Sequence, residues 1–321
     1  MPDDSHDIRT PYGATSTTVD IGGPVHAWVR PGPGAGTEEV ATVLCLHGLG
    51  GSALNFGPVT PLLAERHRVV ALDLLGHGGT RSGRPELSAS AAVEEQLDLV
   101  ATYVATRVDE PVVLVGHSLG GVLAVLHTLA HPETVDRLVL LAPPVPHRTD
   151  AARDRGLAAK RAVLGTSLVR GLVDRQLRRT VPADLVVRQV AEATPHTDRV
   201  PAAALAASVA EQEVRASAPD AAAARRTQWN AILGTIDLLA RPLEWRDRLA
   251  EVAVPTLWLQ GHDDLKVPLD DATRLATSVR AHASVPERWD FRTRAGVGHL
   301  PHMEDAAWTA DALLGWLGAR A

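Results

Sequence analysis

A five-residue segment has the residue types and spacing of an activated nucleophile. Gly116-His117-Ser118-Leu119-Gly120 follows an apolar run at residues 111–115 and opens an apolar helical pattern at residues 119–130. The pattern G-x-S-x-G between a strand and a helix is typical of a sharp turn that exposes a serine hydroxyl at the end of a sheet. Small residues are needed beside the serine because two chain segments crowd there. The segment therefore predicts that Ser118 attacks a carbonyl carbon.

A serine hydroxyl is a weak nucleophile until a base takes its proton. His299 is the candidate base, because it lies in the Gly-rich stretch AGVGHLP just after the last predicted strand. His302 is the rival, but it lies toward the final helical pattern. The imidazole needs a carboxylate to hold its tautomer and stabilise its positive charge. Asp263 and Asp264 both follow an apolar strand pattern, and either could supply that carboxylate.

Acyl chemistry also requires two backbone donors for the oxyanion of the tetrahedral intermediate. The amide of Leu119 follows the nucleophile at a helix N-terminus, where the helix dipole favours negative charge. The second donor is expected in the loop His47-Gly48-Leu49-Gly50-Gly51, with Leu49 as the candidate. Apolar side chains could line a substrate pocket or could simply pack the protein core. The side chains that we expect to line an apolar substrate pocket are Phe56, Trp229, Ile232, Ile236 and Leu300.

Short apolar runs alternate with helical patterns along most of the chain, which predicts a mostly parallel sheet covered by helices. Predicted strands cover residues 16–21, 26–30, 40–46, 68–74, 111–115, 135–141, 255–259 and 288–293. Predicted helices cover residues 88–108, 119–130, 270–281 (capped by Asp270) and 303–317. Residues 147–245 are rich in Ala and Arg and have helical periodicity without a strand pattern. We therefore predict an α/β core at residues 1–145 and 246–321, interrupted by a helical cap at residues 146–245.

These motifs resemble those of the α/β-hydrolase superfamily, in its branch of capped esterases and lipases. The matching segments occur in the family's order, and they are HGLG at 47–50, DLLGHG at 73–78, the Ser118 turn, GHDDLKVP at 261–268 and Gly298-His299. The resemblance covers residues 15–318 apart from the cap. It implies the α/β-hydrolase fold, with a mostly parallel eight-stranded sheet, flanking helices and a helical cap.

The resemblance also assigns roles to individual residues. In the family the acid lies three residues after the glycine and four before the proline, which selects Asp264. His47, His77 and His117 are implied to shape loops, and Asp73 to order its loop by hydrogen bonds to backbone. Relatives that act on epoxides or haloalkanes have an aspartate nucleophile, so Ser118 disfavours those activities.

The resemblance implies a serine hydrolase that cleaves a carboxylic ester or a related acyl bond through a covalent acyl-enzyme. No cofactor or metal is required, and the expected partner is a small, apolar acyl substrate. Thioester hydrolysis, acyl transfer and carbon–carbon bond hydrolysis are alternatives on the same triad. The last is disfavoured because Leu300 stands where such relatives commonly have tryptophan. A non-catalytic small-molecule-binding homologue is a further alternative.

Composition limits the remaining possibilities. Of 321 residues, 45% are hydrophobic and 22% charged, which is typical of a soluble globular protein. The formal charge of −6 argues against nucleic-acid and anionic-membrane partners, which would favour a basic face. Cys45 is the sole cysteine, so an intrachain disulfide is excluded. The sequence shows neither a secretory signal nor a membrane span, which predicts a cytoplasmic enzyme. It leaves the oligomeric state open.

Overall fold

A computed structural model of the chain describes residues 12–33, 41–81, 89–147 and 153–318. The strands are β1 (Thr15–Asp20), β2 (Pro24–Arg30), β3 (Thr42–Leu46), β4 (Arg68–Leu72), β5 (Val112–His117), β6 (Val135–Leu141), β7 (Thr256–Gly261) and β8 (Trp289–Arg294). They form one eight-stranded sheet in the order β1-β2-β4-β3-β5-β6-β7-β8. β1, β2 and β4 pair antiparallel, and the pairs from β4 to β8 are parallel. This confirms the predicted mostly parallel α/β sheet.

The α-helices of the described ranges alternate with these strands. They are α1 (Thr60–Leu63), α2 (Ala89–Arg107), α3 (Leu119–Ala130), α4 (Arg155–Leu164), α5 (Ser167–Leu177), α6 (Pro182–Ala191), α7 (Ala202–Ser217), α8 (Ala221–Leu239), α9 (Pro242–Glu251), α10 (Leu269–His282), α11 (Pro301–Glu304) and α12 (Ala306–Gly318). The described elements between β6 and β7 are all helical, and we call α4–α9 the helical insertion. The boundaries predicted for a cap at residues 146–245 remain a prediction.

The sheet separates two apolar cores, and β3 contributes to both. Leu44 and Leu46 face the core that contains α2, α3, α9 and α10, whereas Val43 and Cys45 face the core that contains α1 and α12. Because successive strand residues point to opposite faces, a run that is apolar throughout can fill two cores. Cys45 is fully buried there, and burial raises the pKa of its thiol. The cysteine is therefore a small core residue, as predicted.

Two helix boundaries differ from the sequence prediction. Asp270 does not cap α10, because the helix begins at Leu269 after Pro268; the aspartate lies in the first turn, where its charge complements the helix dipole. The final helix is divided at Asp305 into α11 and α12. The side chain of Asp305 accepts a hydrogen bond from the Trp308 amide at 3.0 Å and so starts a new helix. Within the described ranges, no helix is long and apolar enough to cross a bilayer.

Candidate active site

Ser118 lies in the turn between β5 and α3. Its backbone has φ 51° and ψ −119°, a conformation that residues other than glycine rarely adopt. The turn is held by hydrogen bonds from the Ser118 amide to the Leu141 carbonyl (3.0 Å) and from the Gly121 amide to the Ser118 carbonyl (2.8 Å). A Cβ at Gly116 would clash with the Gly120 carbonyl. The glycine spacing therefore follows from close backbone contact around the half-buried Ser118.

The ring of His299 lies between Ser118 and Asp264. Its Nε2 is 3.1 Å from Ser118 Oγ, and its Nδ1 is 2.8 Å from Asp264 Oδ2. Because the carboxylate can only accept, Nδ1 carries the ring proton and Nε2 presents a lone pair to the hydroxyl. Both distances are within hydrogen-bond reach of a nucleophile, a base and the group that orients the base. The arrangement can remove a proton from Ser118.

The carboxylate of Asp264 is surrounded by donors. Oδ1 accepts from the amides of Lys266 and Val267, each at 2.8 Å, and Oδ2 accepts from Gln260 Nε2 at 2.8 Å as well as from His299. The carboxylate is therefore fixed in place with all of its partners buried or backbone. Such a fixed acceptor also fixes the orientation of the imidazole.

Asp263, the alternative acid, points elsewhere. Its Oδ2 lies 2.9 Å from His196 Nε2 and accepts from the Gly296 amide at 3.0 Å. The hydrogen bond from His196 lowers the pKa of Asp263. His302, the alternative base, stacks on Phe56 at 4.7 Å between ring centroids, and burial and the charge of His299 lower its pKa to about 3. The structure therefore brings Asp264 and His299 to Ser118, and neither rival.

Two backbone amides near Ser118 have no acceptor among the described residues. They belong to Leu119, the first residue of α3, and to Leu49 in the loop after β3. The loop passes close to the serine, since a Cβ at Gly48 would be 3.0 Å from Ser118 Cβ. The Leu49 side chain is 43% exposed, so only its backbone is suited to the predicted role. Unpaired amides in this position are suited to an oxyanion.

Neutral histidines hold the loop that carries Leu49. His77 Nε2 accepts from the Gly50 amide at 3.3 Å, and His47 Nε2 accepts from the Leu74 amide at 3.1 Å. Burial lowers the pKa of both rings, and a neutral ring is required for a nitrogen to accept a hydrogen bond. The loop-shaping function implied by the resemblance is thus seen directly in these contacts.

Asp73 orders the neighbouring turn, as the resemblance implied. Its carboxylate accepts from the Ala53 amide at 2.8 Å and the Gly79 amide at 2.9 Å, and it pairs with His26 Nδ1 at 2.7 Å. Burial alone would raise the pKa of Asp73, but the hydrogen bond from His26 and the electrostatic attraction to that ring hold it at about 2. The ionised carboxylate is therefore part of the folded structure.

A cavity of about 400 Å³ opens beside Ser118 and His299, between the core and the helical insertion. Leu300 and Leu49 lie on its wall. A second cavity of about 630 Å³ lies within the insertion and against the same loop. The two cavities share Leu49, Gly50, Gln189, Gln212 and Arg215. Within the described residues, no cluster of three or more His, Cys, Asp or Glu side chains is arranged to hold a metal ion.

A family model described as the alpha/beta hydrolase family matches residues 43–312. The chain belongs to the alpha/beta hydrolase family. An uncharacterized protein of Mycobacterium tuberculosis is 36% identical to it over 118 residues, which are 37% of this chain and only a third (33%) of that relative. A RutD carbamate hydrolase of Serratia proteamaculans, itself assigned provisionally, is 27% identical over 88% of this chain and 93% of its own length.

A solved serine hydrolase involved in carbazole degradation has the same fold. It aligns with a TM-score of 0.67 and 21% sequence identity, and the alignment covers 96% of this chain and 100% of that structure. At this level of identity the likeness concerns the fold, and the chemistry depends on the residues described above.

The structure of this alpha/beta hydrolase corrects part of the predicted pocket. Phe56 is fully buried in the core beside α1 and α12, so it does not face the cavity at Ser118. Trp229 and Ile232 line the second cavity, and their part in a substrate pocket remains a prediction. Ile236 lies on neither wall, because it is one helical turn further along α8. Leu300 lines the cavity beside Ser118 as expected.

Sequence analysis missed a row of polar side chains on α7. Ser208, Glu211, Gln212 and Arg215 have i, i+3, i+4 and i+7 spacing, and all four line the cavity beside Ser118. Arg215 donates to the Gly50 carbonyl at 3.2 Å and so contacts the Leu49 loop. Burial raises the pKa of Glu211. The polar spacing within an otherwise Ala-rich helix is the signal that could have identified this face.

Two further polar residues escaped the sequence analysis. Gln260, which binds the Asp264 carboxylate, is fully buried at the end of β7, and its Oε1 accepts from Trp258 Nε1 at 3.3 Å. Glu304 accepts from the amides on both sides of His299, those of Gly298 and Leu300, each at 2.8 Å. For Gln260, the available signal was a polar side chain within an otherwise apolar strand. For Glu304, it was an acidic side chain in the first turn of a helix whose other residues are buried.

Glu304→Gln is expected to lower the free energy of unfolding by about 1–3 kcal/mol, the usual cost of one unsatisfied buried polar group. The carboxylate is 7% exposed and also accepts from Thr194 Oγ1 at 2.6 Å. Both oxygens of the Glu304 carboxylate accept hydrogen bonds, but a glutamine side chain has only one oxygen. At least one of the present donors would therefore face the glutamine NH₂ group and lose its acceptor. Denaturant unfolding measures the change. Glu244→Gln, at an exposed ion pair with Arg248, is the control and should change stability by less than about 0.5 kcal/mol. Equal stabilities for the two variants would contradict the assignment.

Proposed function

We propose that this alpha/beta hydrolase is a serine hydrolase that cleaves carboxylic esters through an acyl-enzyme. The observation that carries the proposal is the continuous hydrogen-bonded line from Ser118 Oγ through His299 to Asp264, with distances of 3.1 and 2.8 Å. The acceptor-free amides of Leu49 and Leu119 give it further support, because they lie beside the hydroxyl in the part of the chain that the structure describes. A nucleophile, a base, an orienting acid and oxyanion donors are the complete set for acyl transfer.

The proposed reaction has two halves. In the first, Ser118 Oγ attacks the ester carbonyl as His299 Nε2 takes its proton, and Asp264 stabilises the imidazolium. The Leu49 and Leu119 amides bind the oxyanion until the carbon–oxygen bond breaks, when His299 returns the proton to the departing alcohol. In the second half, water gives its proton to His299 and attacks the acyl-enzyme. The carboxylic acid leaves and the Ser118 hydroxyl is restored.

The cavity supports a substrate that is apolar over part of its surface, because apolar side chains line the wall together with the polar row of α7. The wall around Ser118 includes Val186, Val190, Leu205, Leu300 and Met303. At about 400 Å³, it has the size of a typical small-molecule site. The adjoining cavity of about 630 Å³ leaves room for an acyl or alcohol group that extends past the Leu49 loop. We therefore expect hydrolysis of nitrophenyl esters to increase as the acyl chain lengthens beyond acetyl.

A substrate panel tests the proposal. Purified protein should hydrolyse nitrophenyl esters, and a fluorophosphonate should label a single peptide that contains Ser118, because the activated hydroxyl attacks phosphorus as it attacks carbon. Matched thioester, lactone and amide substrates give the order of preference. If the protein hydrolyses the thioester faster than the matched ester, the proposed activity becomes that of a thioesterase that uses the same triad. Absence of the label and of every hydrolysis would contradict the hydrolase proposal and favour a small-molecule-binding homologue.

A further inference from the structure

Helices α4 and α5 form the outer part of the helical insertion, and neither contains a buried residue. Large apolar side chains nevertheless stand on their outer side. Val163 is 59% exposed, Leu168 72% and Leu172 57%. Single exposed apolar residues are common, but a group in two consecutive helices indicates a surface with a binding function.

The side of α5 that faces the rest of the helical insertion supplies the contacts that hold this helix in place. Val173 and Leu177 line the larger cavity together with Trp229 of α8. Leu168 and Leu172 lie on the opposite side of α5, because their positions differ from those of the inner residues by about half a helical turn. The outer leucines are therefore not required to hold α5 on the insertion.

The segment that contains α4 and α5 is strongly basic. Residues 153–179 contain eight Lys and Arg against two Asp, although the whole chain has a formal charge of −6. Arg175 continues the row of Leu168 and Leu172 at i+7 on α5, and Arg179 is exposed in the turn that follows the end of the helix at Leu177. Among the described residues, the basic side chains of this region without an ion-pair partner include Arg155, Lys160, Arg170, Arg175 and Arg179.

We propose that this outer face of α4 and α5, defined by Val163, Leu168, Leu172, Arg175 and Arg179, docks on an anionic lipid surface. A helix that combines apolar side chains with flanking cations lies in the plane of a membrane interface, where the apolar residues enter the headgroup boundary and the cations bind anionic headgroups. The net charge of the chain argued against such a partner. Net charge is an average over the whole chain, however, and it does not describe a local surface on which cations are concentrated.

Two other occupants fit the surface less well. A second copy of this chain would bring the unpaired arginines of one described face against those of the other, which is electrostatically unfavourable. The phosphates of a nucleic acid would bind the cations but would make no favourable contact with Leu168 and Leu172, since phosphates bind charged and polar groups. A lipid surface accounts for both the apolar and the basic residues.

Sedimentation of the full chain with lipid vesicles tests the proposal. The protein should bind vesicles that contain phosphatidylglycerol, bind phosphatidylcholine vesicles weakly, and lose binding when NaCl is raised from about 0.1 M to about 0.5 M. Arg175→Glu/Arg179→Glu should lower the partition coefficient by more than roughly 25-fold, because each cation removed from an anionic surface costs about fivefold and each added carboxylate is repelled. Leu168→Asn/Leu172→Asn should lower it roughly tenfold through lost apolar insertion.

Arg107→Glu/Arg280→Glu is the matched control. It makes the same change in charge at two exposed arginines of the core helices α2 and α10, and it should bind vesicles as the unmodified protein does. All these variants should hydrolyse a water-soluble short-chain ester at an unchanged rate, so docking is measured separately from catalysis. Equal weakening by both arginine pairs, or no binding to anionic vesicles, would overturn the proposal. A dimer in sedimentation velocity that the Leu168→Asn/Leu172→Asn variant dissociates would assign the face to self-association instead.

Discussion

Ser118→Ala is expected to lower kcat for nitrophenyl ester hydrolysis by at least about 10⁴-fold, because loss of the nucleophile in a serine triad leaves only binding and oxyanion stabilisation. The KM should change little. The hydroxyl is one small group on the wall of a cavity of about 400 Å³, and its contribution is made in the transition state. Steady-state kinetics with a single ester, on protein freed of host esterases, measures both parameters.

Ser208→Ala is the matched control for this experiment. Ser208 lines the same cavity but lies on α7, where its hydroxyl donates to the Ala204 carbonyl at 2.9 Å and is not paired with a histidine. It should keep activity within a few-fold and should still react with a fluorophosphonate. If Ser118→Ala kept wild-type kcat, the nucleophile would be another group, and the proposed mechanism would be wrong.

Local signals predicted the framework of the site well. β6 and α3 have the predicted boundaries, Val135–Leu141 and Leu119–Ala130, because an apolar run and a glycine turn need no distant partner to be recognised. The turn at Ser118 is determined in the same way by steric contact between nearby glycines. The local structure of short segments at strand ends can thus be predicted from the segments themselves.

Contacts between distant segments were beyond prediction. Arg215 is 165 residues from the Gly50 carbonyl that it binds, and no local pattern places α7 beside that loop. The pocket predictions for Phe56 and Ile236 were wrong for a related reason. An apolar residue near a site can point into the cavity or into the core, and the sequence does not specify which.

The helical insertion is in direct contact with the residues proposed to act. The carbonyl of Ala193, just after α6, accepts from the amides of both His299 (3.2 Å) and Leu265 (3.3 Å), while Arg215 holds the Leu49 loop from the other side. The loops of the base, the acid and the oxyanion donors are therefore all bound to one insertion. A change in its position would alter the geometry of all three, which makes it part of the site as well as its cover.

Asp264→Asn should leave the fold intact and lower kcat by about 10⁴-fold, the effect known for such triads when the carboxylate becomes an amide. The reason lies in the donors around Asp264. Its Oδ1 site receives two backbone amides that cannot reorient, so the single oxygen of asparagine must take that position. The amide nitrogen then faces His299 Nδ1 and donates to it, and it also faces the donor Gln260 Nε2, so the variant should lose some stability while it keeps its fold.

His299 would be held by this contact in the tautomer with its proton on Nε2, and the ring would face Ser118 with a donor where a base is needed. Asp263→Asn is the control one residue away. Its carboxylate contacts His196 and lies 41% exposed, so kcat should stay within a few-fold of wild type. Proton NMR of the imidazole N–H signals would show the change of tautomer directly in the Asp264→Asn variant. Full activity together with an unchanged Nδ1–H signal would mean that the carboxylate does not determine the tautomer, and that Asp264 has no part in activating Ser118.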